Sequence, residues 1–231
     1  MDYEKKLKRI TAATKALHRM IGAVLLLALV FVGSTVYDMY AFTEAGRGTS
    51  FPGFKDLLSQ NKDTVAWLKM DGTHIDHPVV QGKDNFEYIN KGFDGKFYQG
   101  GSIFLDEGNA KDFTDQYIII HGHHMARGAM FGDVAAYLDK TFFEDNTSGQ
   151  LITPGAVYEL TVCGAGIADA YDGAVYYTAP EVKVQLKFLD KCTLKRKVDF
   201  KNGDKLVMLS TCAGDMTTKR AVVFCRARME D

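Results

Sequence analysis

An uncharged apolar run near the N-terminus constrains this chain more than any other feature. Residues 20–37, "MIGAVLLLALVFVGSTVY", carry no formal charge over 18 positions, which is about the shortest helix that crosses a hydrocarbon core of roughly 30 Å. Burial inside a globular core is a poor alternative, because the run has no polar face. A cleaved signal peptide is a second alternative, since Ser34 and Ala41 offer small residues, but its apolar region is typically about 7–15 residues long. We therefore expect a transmembrane anchor over residues 20–40.

The flanking charges predict the orientation of this span. Six basic residues and two acidic residues precede it, whereas Asp38 and Glu44 follow it closely. Under the positive-inside rule, residues 1–19 stay in the cytoplasm and everything after about residue 40 lies outside the cell. Residues 41–50 then form a linker, and residues 51–231 form one extracellular domain with a single core.

The overall charge argues against one class of partner. The chain has 28 basic and 29 acidic residues and a formal net charge of −1, and the two signs are spread along its length. Nucleic-acid binding requires a basic patch or stripe. We therefore expect no nucleic-acid partner.

The hydrophobic pattern of the domain predicts a mainly β fold. Short apolar runs surround Trp67 and recur in "HIDHPVVQ", "GGSIFLDEG", "DQYIIIHGHHM", "AVYELTVCGAG", "KLVMLSTC" and "RAVVF", which is typical of strands. Helices are predicted for "FKDLLSQ", "DNFEYIN", "AMFGDVAAYLD" and the amphipathic "APEVKVQLKFLDKC". Many short strands with few helices favour a closed or nearly closed barrel with helical insertions over alternating βαβ units.

One of the four cysteines stands apart from the others. If Cys212 stays free, the remaining three thiols form at most one bridge, so a disulfide framework is a poor interpretation. Cys163 and Cys225 lie inside apolar runs, where a thiol packs as a small hydrophobe. Cys212 follows Ser210 and Thr211 at a predicted strand end and precedes a polar loop, which is an accessible place for a nucleophile.

A cluster of histidines offers the base that such a nucleophile needs. A free thiol with a pKa of about 8.5 is only a few per cent ionised near neutrality. The run "IIIHGHHM" places His121, His123 and His124 at the end of an apolar strand, and strand alternation sends the first two to one face. His74 and His77 are expected to be surface residues.

A metal site is the alternative interpretation of the histidine cluster, with Cys212 as a fourth ligand. A His-x-His pair from one strand is weak evidence for a metal site by itself. Neither a carboxylate-rich segment nor a CxxC partner occurs at a spacing familiar from metal sites. We therefore expect no metal at this site.

Taken together, these motifs resemble the sortases, and within that family the class B sortases. The blocks that carry the resemblance are "LSTC" ending at Cys212, Arg220 eight residues later at the head of "RAVVF", and "HGHHM", which is similar to the family's Tyr-Gly-His-x-Met block. The stretches "NKDTVAWLKMDGTHIDHPVVQGKDNFEYIN" and "GGSIFLDEGN" are similar to the amino-terminal half of class B sortases. The single N-terminal span also suits a membrane-anchored sortase.

The resemblance implies a role for each residue of the motif. Cys212 is the nucleophile, and His123 is the general acid/base because it follows the glycine as the motif requires. Arg220 is the cation that stabilises the oxyanion or orients the substrate. If "KLVMLSTC" and "RAVVFCRAR" pair as antiparallel neighbours, Arg220 returns to the sheet end that holds Cys212.

The resemblance also implies a substrate groove and a fold. His121 stands where the family usually has tyrosine, and His121, Asn85 and Ser210 are expected to line the groove. The implied fold is an eight-stranded sortase-type β-barrel with N-terminal helices and a helix in the loop before the nucleophile strand. The segment "APEVKVQLKFLDKC" is well placed to be that helix.

The implied reaction is transpeptidation at the outer face of a Gram-positive membrane. The enzyme cleaves a short C-terminal sorting signal of a secreted protein after Thr, forms a thioester on Cys212, and transfers the acyl group to a peptidoglycan amine without any cofactor. Its partners are secreted proteins carrying that signal and a peptidoglycan precursor or crossbridge. Two alternatives remain: another extracellular cysteine wall enzyme, such as an L,D-transpeptidase or an NlpC/P60-like peptidase, and a non-catalytic anchored binding module.

Overall fold

A computed structural model of the chain describes residues 2–45, 51–178, 183–212 and 218–230, with the side chain of Cys212 outside the described part. The chain divides into two compact units, Met1–Ala45 and Gly46–Asp231. Much of the predicted 41–50 linker and the start of the predicted 179–192 helix lie outside the described residues. The same is true of most of the loop between Cys212 and Arg220.

The first unit is the helix α1 (Asp2–Ala45). Its stretch Thr14–Gly33 is long and apolar enough to cross a membrane, although a signal sequence near the N-terminus would have the same length and composition.

Among its described residues, the second unit has nine strands, of which eight close into a barrel. The strands are β1 (Thr64–Met70), β2 (Asp76–Val80), β3 (Ile103–Leu105), β4 (Tyr117–His121), β5 (Ser148–Ile152), β6 (Val157–Asp169), β7 (Leu194–Lys195), β8 (Lys205–Cys212) and β9 (Lys219–Met229). They are hydrogen-bonded in the order β5-β1-β2-β3-β4-β8-β9-β6-β7, and β5 also pairs with β6. That pairing closes the ring of eight, while the two-residue β7 extends beyond β6. The predicted eight-stranded barrel is confirmed.

The continuous apolar runs of β4 and β8 arise because both faces of these strands are covered. Ile118 and Ile120 of β4 join the larger core cluster with residues from most of the barrel strands. Tyr117 and Ile119 alternate with them and join a second cluster. The second cluster is covered by α5 (Gly173–Tyr176) and α6 (Lys183–Leu189), which contribute Val175 and Phe188. Strands buried on both faces lose the alternation of polar and apolar residues.

The remaining α-helices among the described residues are short. They are α2 (Phe54–Gln60), α3 (Gly132–Ala136) and α4 (Lys140–Asp145). The expected helix in the loop before the nucleophile strand is present as α6, which begins at Lys183 among the described residues.

The prediction of a helix at "DNFEYIN" is wrong, because the segment forms a series of turns. The carboxylate of Asp84 accepts hydrogen bonds from the backbone amides of Phe86 and Glu87 at 3.0 and 2.9 Å. An aspartate that bonds the amides two and three residues ahead favours a turn over a continuing helix.

Candidate active site

A groove of about 530 Å³ lies at one end of the barrel. It brings together five of the six residues that the sequence predicted for the site, which are Asn85, His121, His123, Ser210 and Arg220. The sixth, Cys212, is the last residue of β8, and its backbone position alone is described.

Strand register brings the histidine and cysteine segments together. Strands β4 and β8 are parallel, with His121 opposite Ser210, and the amide of Gly122 donates to the carbonyl oxygen of Ser210 at 3.2 Å. His123 and Cys212 each follow this pair by two residues. Since parallel neighbours end at the same edge of a sheet, both residues lie at one end of the barrel.

The pairing of β8 with β9 adds the arginine. These strands are antiparallel, and Cys212 is the register partner of Arg220. The prediction that the two apolar runs pair as antiparallel neighbours is confirmed. Arg220 is half-buried and lines the groove, and its Nη1 donates to the carbonyl oxygen of Lys219 at 3.2 Å.

Gly122 separates His121 from His123 because only a glycine fits there. A Cβ atom at this position would lie 2.5 Å from Cδ1 of Ile103 and 2.8 Å from Cγ of Phe131, which is closer than packed carbon atoms approach. The chain beyond it is then fixed by the amide of Phe131, which donates to the carbonyl oxygen of His123 at 3.0 Å.

The ring of His123 is oriented by a backbone group. Its Nε2 lies 2.7 Å from the carbonyl oxygen of Ile89. A carbonyl oxygen only accepts, so Nε2 carries a proton in this contact. In the neutral ring, the unprotonated nitrogen is therefore Nδ1.

The ring of His121 is held by a side chain instead. Its Nε2 lies 2.9 Å from Oδ2 of Asp106. The ring packs near those of Phe104 and Tyr176, with centroid distances of 5.2 and 6.1 Å, and it is nearly parallel to Tyr176.

Asp106 is buried and remains a strong hydrogen-bond acceptor. Burial by itself would raise its pKa, but the hydrogen bond and charge of His121, the amide of Gly108 and the side chain of Asn85 outweigh that effect and hold the pKa below its ordinary value. The amide of Gly108 donates to Oδ1 and Nδ2 of Asn85 donates to Oδ2, both at 2.9 Å. Asp106 is therefore a carboxylate at neutral pH.

Ser210 and Thr211 bring two further hydroxyl groups to the groove lining. Both residues are buried. The hydroxyls of Ser210 and Tyr176 are 2.8 Å apart and hydrogen-bonded, whereas Oγ1 of Thr211 has no partner among the described residues.

The histidines outside the cluster differ from each other. His74 is exposed as predicted, and its Nδ1 lies 2.9 Å from Oδ2 of Asp133. The prediction that His77 is a surface residue is wrong: it is buried on β2, and burial lowers its pKa to about 4. Strand β2 pairs with β1 on one side and β3 on the other, and the sequence around Pro78 does not reveal that position.

No group of three or more His, Cys, Asp or Glu side chains suited to a metal ion occurs within the described part of the chain. Nε2 of His121 is hydrogen-bonded to Asp106, and Nε2 of His123 is hydrogen-bonded to a backbone carbonyl.

Sequence reasoning missed several contributors to the groove. Asp106 follows the last residue of β3, so its position at a strand end in "IFLDEGN" was an available signal. Ile89 contributes through its carbonyl oxygen, which no side-chain motif reveals, and Tyr176 reaches the groove from α5.

Comparison with known proteins identifies the family. No model of a protein family matches the chain. The chain is 32% identical to sortase B of Staphylococcus aureus over 181 residues, which cover 76% of this chain and 74% of that protein. The chain belongs to the sortase B family.

Solved structures of other sortases agree with this assignment. A class B sortase of Streptococcus pyogenes that is involved in pilus biogenesis superposes with a TM-score of 0.71 at 34% identity, covering 77% of this chain and 98% of that one. A sortase B in complex with triglycine gives a TM-score of 0.69 at 30% identity, covering 77% and 86%. This class B sortase is therefore a cysteine transpeptidase. Membership of the family removes the L,D-transpeptidase, NlpC/P60-like and binding-module alternatives.

Proposed function

We propose that Cys212, His123 and Arg220 carry out the transpeptidation on a sorting peptide held in the groove. The observation that supports this most directly is the register of the strands. Cys212 pairs with Arg220 in the β8–β9 ladder. Strands β4 and β8 end together, and His123 and Cys212 each lie two residues past the His121–Ser210 pair. Asn85, His121 and Ser210 line the part of the groove that receives the peptide.

His123 supplies the acid/base function through Nδ1. Because Nε2 is bonded to the carbonyl oxygen of Ile89, Nδ1 is the atom that takes the proton of the Cys212 thiol and later gives a proton to the leaving amine. This proton transfer gives a Cys212 thiolate and a His123 imidazolium, and the thiolate is the nucleophilic form of cysteine.

The first half-reaction forms a thioester. The sulfur of Cys212 attacks the carbonyl carbon of a threonine in the sorting signal, and the carbonyl oxygen takes up the negative charge. The Arg220 guanidinium stabilises that oxyanion more than it stabilises the substrate carbonyl. When the tetrahedral intermediate collapses, the C–N bond breaks and His123 gives its proton to the leaving amine.

The second half-reaction transfers the acyl group to a new amine. The amine attacks the thioester carbon, His123 takes its proton, and the thiolate of Cys212 leaves. The relative solved with triglycine was bound to a peptide with a free amino group, which supports a peptidoglycan amine as the acceptor here. The product is a secreted protein joined covalently to the cell wall.

The N-terminal helix would hold this reaction at the membrane. The basic residues before Thr14–Gly33 and the acidic ones after it support a cytoplasmic N-terminus, an anchor over residues 20–40 and an extracellular catalytic domain at 51–231. Protease added to intact protoplasts should then remove the domain and leave a small membrane-bound N-terminal fragment. A secreted protein lacking residues 1 to about 41 would contradict the anchor.

The reaction itself is tested with the full chain in detergent and a library of pentapeptides containing Pro and Thr. Mass spectrometry should detect an acyl-enzyme on a peptide that contains Cys212, and added triglycine should release it as a new amide. The Cys212→Ala variant is the control. An absence of acyl-enzyme with every peptide, or its formation on another residue, would contradict the proposal.

A further inference from the structure

The contact between His121 and Asp106 fixes which nitrogen of His121 carries the proton. The carboxylate of Asp106 only accepts hydrogen bonds, so Nε2 of His121 donates to it at 2.9 Å. In the neutral imidazole, Nδ1 then has a lone pair and no proton.

The carboxylate is itself held by other donors. Gly108 donates to one oxygen, and Asn85 donates to the oxygen that also accepts from His121, with both distances at 2.9 Å. The pKa of Asp106 is held below its ordinary value despite burial, which keeps it an acceptor near neutral pH. Asp106 therefore cannot turn away from His121 without losing bonds of its own.

Two neighbouring aromatic rings restrict the imidazole further. Phe104 and Tyr176 lie at centroid distances of 5.2 and 6.1 Å from it, and the Tyr176 hydroxyl is bonded to Ser210. Within the described part of the chain, Nδ1 of His121 has no hydrogen-bond partner. It is also not one of the buried side-chain atoms that lack a partner, so this nitrogen is accessible. Since His121 lines the groove, Nδ1 is open to whatever the groove holds.

From these contacts we propose that His121 and Asp106 form a substrate-binding pair in which Nδ1 of His121 accepts a hydrogen bond from a backbone N–H of the sorting peptide. His121 is the contact residue, and Asp106 is a positioning residue that sets the tautomer. This inference rests on the proposed function, because it needs a peptide in the groove.

The pair selects the register of the peptide by its chemistry. An extended peptide presents N–H and C=O groups alternately along each edge. A tyrosine hydroxyl both donates and accepts, so it can meet either group, whereas a neutral imidazole held by Asp106 can only accept at Nδ1. The histidine at position 121 therefore favours an N–H over a C=O at the point of contact.

The test uses the full chain in detergent and the pentapeptide that acylates it best, together with esters of that peptide in which one backbone N–H at a time is replaced by oxygen. In the wild type, one ester should raise KM by about 3- to 10-fold with little change in kcat, as expected for one lost hydrogen bond. In His121→Phe, the parent peptide should already show the higher KM, and that ester should cause no further rise.

Two further variants separate positioning from folding. Asp106→Asn can present an NH₂ group to Nε2 and so favour the opposite tautomer. It should raise KM for the parent peptide and abolish the effect of that ester. His121→Gln offers an acceptor oxygen and should recover part of the discrimination. His124→Phe is the matched control and should behave as the wild type, and the rate of Cys212 alkylation by iodoacetamide should be similar in all folded variants.

The outcomes separate this inference from the function on which it rests. If peptides acylate Cys212 but every ester has the same effect in the wild type and in His121→Phe, the transpeptidase proposal stands and the role of Nδ1 is overturned. If no peptide acylates the wild type, both proposals fail. The pair is supported if the ester that raises KM in the wild type causes no further rise in either His121→Phe or Asp106→Asn.

Discussion

The groove and the buried core contain the same reactive residue types in opposite environments. In the groove, His121 and His123 are bonded through Nε2 and line an open surface. In the core, Nε2 of His77 is buried without a partner among the described residues, and burial raises the pKa of the Cys163 thiol to about 12. Burial suppresses the charged form of a residue, whereas an oriented residue at a strand end keeps a nitrogen available for chemistry.

The largest expected effect tests the cysteines of the two regions. Cys212→Ala should abolish cleavage and transfer while the domain stays folded, whereas Cys163→Ala and Cys225→Ala should keep activity and lower the free energy of unfolding. Their thiols are buried, and burial raises the pKa of both. Peptide turnover and denaturant unfolding measure the two properties.

A labelling experiment provides the control for this contrast. At neutral pH, an alkylating reagent should modify one thiol in the native chain and abolish activity, because the buried thiols are protonated and shielded from the reagent. Turnover by Cys212→Ala, or labelling of Cys225 before Cys212, would contradict the assignment of Cys212 as the reactive thiol.

The next effect concerns the histidines. His123→Ala should lower kcat/KM by the roughly 10²- to 10⁴-fold typical of a lost general acid/base. His124→Ala should be mild, and His121→Ala should be intermediate and act mainly on KM. Steady-state kinetics with one peptide distinguishes the three variants. Equal losses at all three positions together with bound zinc in the wild type would favour a metal site.

Two arginines of β9 give the third comparison. Arg220→Ala should lower kcat/KM by about 10²- to 10³-fold if it stabilises the oxyanion, and Arg220→Lys should recover little, because a point charge does not replace the planar guanidinium. Arg226 bonds instead to Thr161 and to the carbonyl oxygen of Asp199, so Arg226→Ala should leave kinetics nearly unchanged. An essential Arg226 with a dispensable Arg220 would overturn the assignment.

The smallest effect is a pH dependence of stability that arises from His77. Its pKa is about 4 in the folded chain because of burial and about 6.5 when unfolded. The unfolded chain therefore binds the extra proton first, and stability falls as the pH drops from about 6.5 to about 4. The loss from this residue is about 3 kcal/mol, since each pH unit within that window contributes about 1.4 kcal/mol.

Denaturant unfolding between pH 4 and pH 7 measures this dependence. His77→Gln should have a flatter profile in that window, whereas His74→Ala should follow the wild type, because His74 is exposed. An unchanged slope in His77→Gln would show that the acid sensitivity arises elsewhere, for example at Asp106, whose lowered pKa contributes stability that is lost only at lower pH.

Much of this protein follows from the sequence alone, because the information is local. The apolar run of α1, the cysteine at the end of "LSTC", the arginine eight residues later and the histidine after Gly122 are all features of short segments. Periodicity also predicted most of the barrel strands and α6, since alternation and amphipathicity depend on neighbours in the chain.

Tertiary structure decided what depends on partners distant in the chain. Asp106 binds a histidine 15 residues away, and His123 is oriented by a carbonyl 34 residues before it. The closure of the barrel depends on β5, which no motif indicated, and the burial of His77 depends on the elements packed around β2. Backbone carbonyls and packing neighbours leave no mark in a local motif. The residue types of the site are therefore evident in the sequence, while their tautomers, partners and burial are set only when distant strands pair.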